Sequence, residues 1–153
     1  MSKHIRARLR QAQMLGELSP CPRGHVGAVL FEPESWVVIS DGYNGPPRGG
    51  GDLCGGSHCE RDARQIISGT MTEVGCHHAE LNAIVNAARR GSSTMGAWLA
   101  VSRTPCLNCA KAIHHSGVSR VYVISDSRVE LYSMGTTYLV KHGVEVMTWS
   151  GVT

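Results

Sequence analysis

The stretch "GCHHAELNAIVNAARR", residues 75–90, places a histidine and a glutamate two positions apart at the start of a helical pattern. The pattern predicts a helix over 78–90, and its buried stripe is expected to consist of Leu81, Ile84, Val85 and Ala88. Two interpretations of the helix start are open. His78 and Glu80 could be a capping residue and a first-turn acid, or a metal ligand and a proton-carrying carboxylate. The choice depends on which other ligands the chain supplies.

A second helix start lies in "TPCLNCAKAIHHSG", residues 104–117. Cys106 and Cys109 are spaced at i and i+3, so one helical face carries both thiols. Pro105 is predicted near the first helical position, and Gly117 ends the helix. Alone, this CxxC could be a redox pair, half of a structural zinc site or two buried thiols. His78 lies 28 residues upstream of Cys106, and three such ligands leave open the fourth tetrahedral position that a catalytic zinc needs.

Length and composition limit the class of protein. A chain of 153 residues with 42% hydrophobic and 18% charged residues predicts a single globular domain. The net charge of +3 is too small for a dedicated duplex binder. The basic start has no apolar region after its charges, so we expect a cytoplasmic protein with no membrane segment. Six cysteines in such a chain favour metal ligands or reduced thiols over disulfides.

Hydrophobic periodicity indicates an α/β layered fold. An amphipathic helix is predicted over 3–18, with Ile5, Leu9, Ala12, Leu15 and Leu18 on one face. Two Val-rich runs, 25–31 and 35–40, indicate an antiparallel strand pair. Strands over 97–102, 120–125 and 144–149 then alternate with helices over 105–117 and 129–142, which is typical of parallel pairing.

A glycine- and cysteine-rich segment interrupts this order. No regular structure is expected over 41–57, and one short helix is predicted around 60–68. We therefore expect one domain over 1–153 with an insertion at about 45–76. Loops this long inside a compact domain are usually functional.

Four stretches together resemble the deoxycytidylate (dCMP) deaminases of phages and bacteria, within the cytidine deaminase superfamily: "CPRGHVGAV" (21–29), "GYNGPP" (42–47), "CHHAELNAI" (76–84) and "TPCLNCAKAI" (104–113). The order H-x-E…P-C-x-x-C is itself the signature of zinc deaminases that act on nucleobases. The resemblance implies a three-layer αβα fold with a central mixed five-stranded sheet. It also implies hydrolysis of dCMP to dUMP and ammonia for thymidylate synthesis.

The chemistry of that resemblance assigns roles to four residues. His78, Cys106 and Cys109 would hold the catalytic zinc, and Glu80 would carry the proton. Two thiolates cancel the formal charge of the zinc ion, so we expect the metal to acidify its water less than an all-imidazole site does. A carboxylate that is not a ligand is then needed to move the proton.

Substrate contacts are expected at several further positions. Asn44 could be a simple turn residue, but the resemblance implies that its side chain contacts the nucleotide. The resemblance also implies contacts from the backbone of Ala79 and Thr104. Arg23 and His25 are either solvated surface residues or phosphate ligands, and Arg120 and Arg128 are further candidates for the phosphate.

The insertion raises two more expectations, both from the resemblance. A second, structural zinc would be held by Cys21, Cys54 and Cys76, with Cys59 or His58 as fourth ligand; the alternative is four reduced thiols. Activation by dCTP and inhibition by dTTP are implied, with magnesium on the triphosphate, in a homohexamer. Arg89 and Arg90 could serve an effector phosphate, a subunit contact or only the helix end.

Other functions compete with this one. The chain could deaminate dCTP or a tRNA adenosine, or be a zinc module without activity. The 33 residues between Asn44 and His78 and the low aromatic content of 5% argue against a nucleic acid partner. Glu80 argues against the inactive module, because a structural site has no use for a free carboxylate.

Overall fold

The computed structural model describes residues 1–125 and 133–150. The helices are α1 (Lys3–Gly16), α2 (Glu60–Ala63), α3 (Ala79–Arg89), α4 (Leu107–His115) and α5 (Ser133–Lys141). The strands are β1 (Gly27–Phe31), β2 (Val38–Tyr43), β3 (Cys54–Gly55), β4 (His58–Cys59), β5 (Trp98–Val101), β6 (Arg120–Ile124) and β7 (Glu145–Trp149).

Five of the strands form one mixed sheet in the order β2-β1-β5-β6-β7. Strand β1 is antiparallel to both β2 and β5, whereas β5, β6 and β7 are parallel. Helix α1 covers one face of the sheet, and α3, α4 and α5 cover the other. The expected three-layer αβα fold with a five-stranded mixed sheet is confirmed.

The sheet topology places the starts of α3 and α4 at one edge. Strands β2 and β5 run in the same direction because each is antiparallel to β1. Their carboxyl ends therefore lie at the same edge of the sheet, on either side of the start of β1. Helix α4 follows directly from β5, and the backbone of Gly45, just after β2, pairs with His77, just before α3. In open α/β sheets this edge is where ligands bind.

Helix α3 packs on β2 through small residues, which corrects the predicted buried stripe. Its buried residues are Ala79, Glu80, Ala83 and Ala87, whereas Val85 is 45% exposed. A Cβ atom at Gly42 would lie 2.5 Å from the Ala83 backbone nitrogen, so helix and strand are too close for large side chains. Leu81 and Ile84 are only partly buried, and Ala88 is exposed.

Polar side chains fasten the same contact. Asn82 donates to the Tyr43 carbonyl oxygen at 2.8 Å, and Asn86 donates to the Asp41 carbonyl oxygen at 2.8 Å. Ser40 donates to the Ala83 carbonyl oxygen at 2.7 Å. These hydrogen bonds fix the position of α3 along β2, and with it the position of its first residues.

Several other expectations are corrected in detail. Helix α1 ends at Gly16, so Leu18 lies beyond it and is 62% exposed. The second strand begins at Val38 because residues 33–35 form a turn. Pro105 lies two residues before the first helical residue, so α4 begins at Leu107 and not at 105, with Cys106 as its N-cap. The predicted helix over 129–142 is described only as α5, and 126–132 lie outside the described residues.

The segment 41–57, predicted to lack regular structure, contains the end of β2 and strand β3, which forms a small hairpin with β4. The helix predicted around 60–68 ends at Ala63. Strands β3 and β4 pair Cys54 with Cys59 and Gly55 with His58, and α2 follows immediately. Strands of two residues are too short to leave a periodic signal in a sequence.

Candidate metal centre and active site

His78, Cys106 and Cys109 form one cluster at the shared starts of α3 and α4. Their ligand atoms all lie within 4.8 Å of one another, and no other trio of His, Cys, Asp or Glu side chains in the described residues is as close. The His78 Nδ1 atom is 3.5 Å from the Cys106 Sγ atom and 3.4 Å from the Cys109 Sγ atom. A zinc ion bound tetrahedrally by these atom types needs an N···S separation of about 3.5 Å. The donor set therefore fits zinc in both chemistry and spacing.

Two of these residues occupy helix N-cap positions, but their side chains make no capping hydrogen bond. His78 precedes α3 and Cys106 precedes α4, and neither side chain accepts a hydrogen bond from its own helix. A capping side chain typically stabilises a helix by about 1 kcal/mol. Here both side chains turn toward the cluster instead, where the positive ends of two helix dipoles favour thiolate over thiol.

The two thiols of the cluster differ in acidity. The hydrogen bond from Cys109 to Cys106 lowers the pKa of the Cys106 thiol to about 4, and the His78 ring adds to this effect. The same hydrogen bond and then burial raise the pKa of Cys109. The hydrogen bond with Cys106 raises the pKa of His78. Cys106 is therefore the thiol of the pair that favours the thiolate form, which is the form that binds a metal.

Glu80 lies beside the cluster without being part of it. The residue is 3% exposed, and burial raises the pKa of its carboxyl group, an effect that the neighbouring His78 partly opposes. A carboxyl group with a raised pKa holds a proton more readily than an exposed one, as a group that accepts and then passes on a proton must do. Its environment suits a proton carrier better than a surface helix acid.

A cavity of about 420 Å³ opens onto the cluster, and its volume is typical of small-molecule sites. Asn44, Ala79, Thr104 and Arg23 line it together with Glu80, whereas His25 is exposed and does not. Residues 68–75 of the insertion form one wall. The insertion thus encloses the cavity.

Asn44 is held by its own side chain. Its Oδ1 atom accepts from the Val26 backbone nitrogen at 2.7 Å, and its Nδ2 atom donates to the Gly24 carbonyl oxygen at 2.8 Å. One Nδ2 hydrogen is left over for another acceptor. Asn44 therefore joins β2 to the residues that precede β1 while facing the cavity.

The arginines considered for phosphate have different surroundings. Arg23 forms an ion pair with Asp62 at 3.0 Å and donates to the Ile66 carbonyl oxygen and to Ser68. Arg120 lies outside the cavity lining, in an ion pair with Glu145 and with its guanidinium over the Trp98 ring. Arg128 lies outside the described residues.

The four remaining cysteines lie near one another at the base of the insertion. Cys54 and Cys59 are buried and directly opposite on β3 and β4. Burial raises the pKa of the Cys54 and Cys76 thiols, and Cys21 and Cys59 act electrostatically on both. His58 is exposed and lies 3.8 Å from a Glu60 carboxylate oxygen.

Two arginines that sequence patterns did not single out also line the cavity, Arg61 and Arg103. Arg61 lies in α2, within the insertion, and Arg103 directly precedes Thr104. For Arg103, the only available signal was its position directly before the "TPC" sequence. For Arg61 there was no signal, because the fold of the insertion could not be predicted and its neighbours show no periodic pattern.

A His, two Cys and a buried carboxylate that is not a ligand define the class of zinc-binding nucleobase deaminases. The model of the family described as "cytidine and deoxycytidylate deaminase zinc-binding region" matches residues 2–125. The chain belongs to this family.

Individual relatives agree with this assignment. The chain is 34% identical to the deoxycytidylate deaminase of Enterobacteria phage T4, over 74% of this chain and 73% of that protein. It is 32% identical to ComE operon protein 2 of Bacillus subtilis, over 82% of this chain but only 61% of the relative's length.

A solved structure extends the likeness to the fold. The crystal structure of dCMP deaminase from cyanophage S-TIM5 in complex with dCMP and dUMP has a TM-score of 0.76 and 29% identity, and covers 97% of this chain and 99% of that one. Across the described residues, no helix is long and apolar enough to cross a membrane.

Proposed function

We propose that this protein is a zinc-dependent dCMP deaminase, which converts dCMP and water to dUMP and ammonia. The observation that carries this proposal is the buried carboxylate of Glu80 beside the His78, Cys106 and Cys109 cluster, inside a cavity of nucleotide size. Relatives that are named deoxycytidylate deaminases, and the phage structure that holds dCMP and dUMP, support this substrate.

The residues divide the chemistry between them. A zinc ion held by His78, Cys106 and Cys109 would supply a Lewis acid that makes water a stronger acid. Glu80 takes a proton from the attacking water and delivers it to the ring nitrogen of the base. It then moves a second proton to the departing amino group as the carbon–nitrogen bond breaks. The water oxygen remains on the base and ammonia leaves, so atoms and protons balance.

Ammonia release from dCMP tests the proposal, with dCTP, cytidine and a tRNA anticodon loop as competing substrates. We expect the highest kcat/KM on dCMP. Glu80→Gln keeps the size of the side chain but cannot carry the proton, so we expect kcat to fall about 10²- to 10⁴-fold while zinc content is retained. Full activity of this variant would refute the role of Glu80, and preference for another substrate would refute dCMP.

We also propose a second, structural zinc at Cys21, Cys54 and Cys76, with Cys59 or His58 as fourth ligand. The pairing of Cys54 with Cys59 on β3 and β4, and the electrostatic influence of Cys21 on the Cys54 thiol, support it. In the described residues these ligand atoms are more widely spaced than those of the first cluster, so zinc would have to draw them together. A metal there would fix the insertion to the sheet at little cost in core size.

Regulation is the remaining part of the proposal, and it rests on the family resemblance. We propose activation by dCTP and inhibition by dTTP, with magnesium on the triphosphate, in a cytoplasmic homohexamer. Rate measurements with each nucleotide and the mass of the particle in solution are the corresponding tests.

A further inference from the structure

The insertion wall of the cavity carries an arginine to which the proposed function gives no role. Arg61, in α2, lines the cavity together with His78 and Glu80. Its Nη2 atom donates to the carbonyl oxygens of Thr70 at 3.2 Å and Ile67 at 3.4 Å. Its Nε atom is buried and has no hydrogen-bond partner in the described residues. Its Nη1 atom makes no hydrogen bond within the described residues and is not among the buried polar atoms, so this donor is available to a ligand.

The charge of Arg61 is also unpaired within the part of the chain that the structure describes, where no carboxylate lies within 4.0 Å of it. The other two arginines of the cavity make interactions elsewhere. Arg23 is occupied by Asp62, Ile66 and Ser68, and Arg103 has an interaction of its own. A partly buried cation without a counter-ion is unfavourable until an anion reaches it.

The backbone that leads to the metal cluster makes room for this side chain. At Gly75 the φ angle is +119°, and a Cβ atom there would lie 2.7 Å from the Arg61 Cδ atom and 3.0 Å from its Cγ atom. The stem of Arg61 therefore passes against residues just before Cys76 and His78. The guanidinium is positioned relative to the cluster by direct packing.

We propose that Arg61 binds the 5′-phosphate of the substrate and so selects a nucleoside monophosphate over the corresponding nucleoside. A guanidinium presents a planar set of donors that matches phosphate oxygens. The base lies at the Glu80 end of the cavity in this arrangement, and the phosphate lies against the insertion. This inference rests on the proposed function.

Substitution of Arg61 separates the phosphate from the rest of the substrate. For Arg61→Gln we expect kcat/KM on dCMP to fall about 10- to 100-fold, mainly through KM, as expected for loss of a charge-assisted hydrogen bond. The kcat/KM on deoxycytidine, which lacks the phosphate, should stay within about twofold of wild type. Arg61→Lys keeps the charge but not the planar donors, so its kcat/KM on dCMP should lie between those of Arg61→Gln and wild type.

Arg64→Gln is the matched control. Arg64 lies three residues further along, is exposed, forms an ion pair with Glu60 at 2.6 Å, and does not line the cavity. Its removal should leave both substrates unaffected. Zinc content and the thermal unfolding midpoint of each variant show whether the fold is retained, and Arg61→Lys serves if Arg61→Gln is unstable.

Binding of the product dUMP, measured by calorimetry with wild type and Arg61→Gln, gives a readout that is independent of turnover. We expect Arg61→Gln to bind dUMP at least tenfold more weakly and deoxyuridine as well as wild type does. Equal losses on dCMP and deoxycytidine, or no loss on dCMP, would overturn the assignment. If wild type deaminates neither substrate, the proposed function fails, and the dUMP comparison still decides the role of Arg61.

Discussion

Cys106 and Cys109 are three residues apart, yet their interaction lowers the pKa of the Cys106 thiol and raises the pKa of the Cys109 thiol. The lowered pKa of about 4 means that Cys106 is almost fully thiolate at pH 6. In zinc-free protein, its alkylation rate should therefore be flat between pH 6 and pH 8. An ordinary thiol, with a pKa near 8.5, reacts about tenfold faster for each pH unit in that range.

Mass spectrometry of iodoacetamide-treated protein measures this rate at each cysteine separately. Cys109 is the internal control, since its raised pKa and burial should keep it nearly unreactive over the same range. Added zinc should protect both. A Cys106 rate that rises tenfold per pH unit would show that the thiol keeps an ordinary pKa.

The same residues show what spacing alone can predict. His78, Cys106 and Cys109 were expected together because His78 and the CxxC pair open two helices and have the donor types of a zinc site, and the structure places them together. Arg61 was not anticipated, because its position depends on the fold of the insertion and on the space at Gly75. Local spacing identifies side chains on regular elements, but not side chains delivered by irregular backbone.

Among the elements, the contact between α3 and β2 positions His78 and Glu80. Gly42→Ala places a Cβ atom 2.5 Å from the Ala83 nitrogen and 2.6 Å from the Ala79 carbonyl oxygen, both of which are backbone atoms that cannot rotate away. We expect the free energy of unfolding to fall by about 1–3 kcal/mol. Activity should fall further, because α3 must shift and its first residues belong to the site.

Urea unfolding and dCMP turnover measure the two effects. Gly51→Ala is the matched control, since a Cβ atom there meets nothing within 4 Å and its φ angle is not positive. The control should change the free energy of unfolding by no more than about 0.5 kcal/mol. If Gly42→Ala were as stable as this control, the close packing of α3 on β2 would be contradicted.

Helices and strands were predicted correctly where the hydrophobic periodicity was strong. The predictions failed where close packing selected small residues, and where strands were only two residues long. All five strands of the main sheet were anticipated to within a few residues. The buried face of α3 was wrong because the predicted stripe chose large residues, whereas the close approach of Gly42 selects alanines. The hairpin of β3 and β4 was missed because pairing between Cys54 and Cys59 leaves no repeat.

On the scale of the whole molecule, the regular αβα body and the irregular insertion meet at the cavity, and two metal sites would fasten them in different ways. The first would join the starts of α3 and α4. The second, proposed at Cys21, Cys54 and Cys76, would join the insertion to the residues before β1. Metal should therefore stabilise the fold as well as support the reaction, because the ligands come from segments far apart in sequence.

We expect two zinc ions per chain and a lower thermal unfolding midpoint after chelation. If free zinc exceeds the dissociation constant a thousandfold, each site contributes about 4 kcal/mol to the free energy of unfolding.

Cys76→Ser should leave one zinc per chain and reduce stability, while the catalytic cluster keeps its three side chains. Cys109→Ser should also leave one zinc, but abolish turnover. Atomic absorption with calorimetry measures both quantities. One zinc in wild type, unchanged in Cys76→Ser, would remove the second site and leave the catalytic proposal intact, because the ligands of the first site are His78, Cys106 and Cys109.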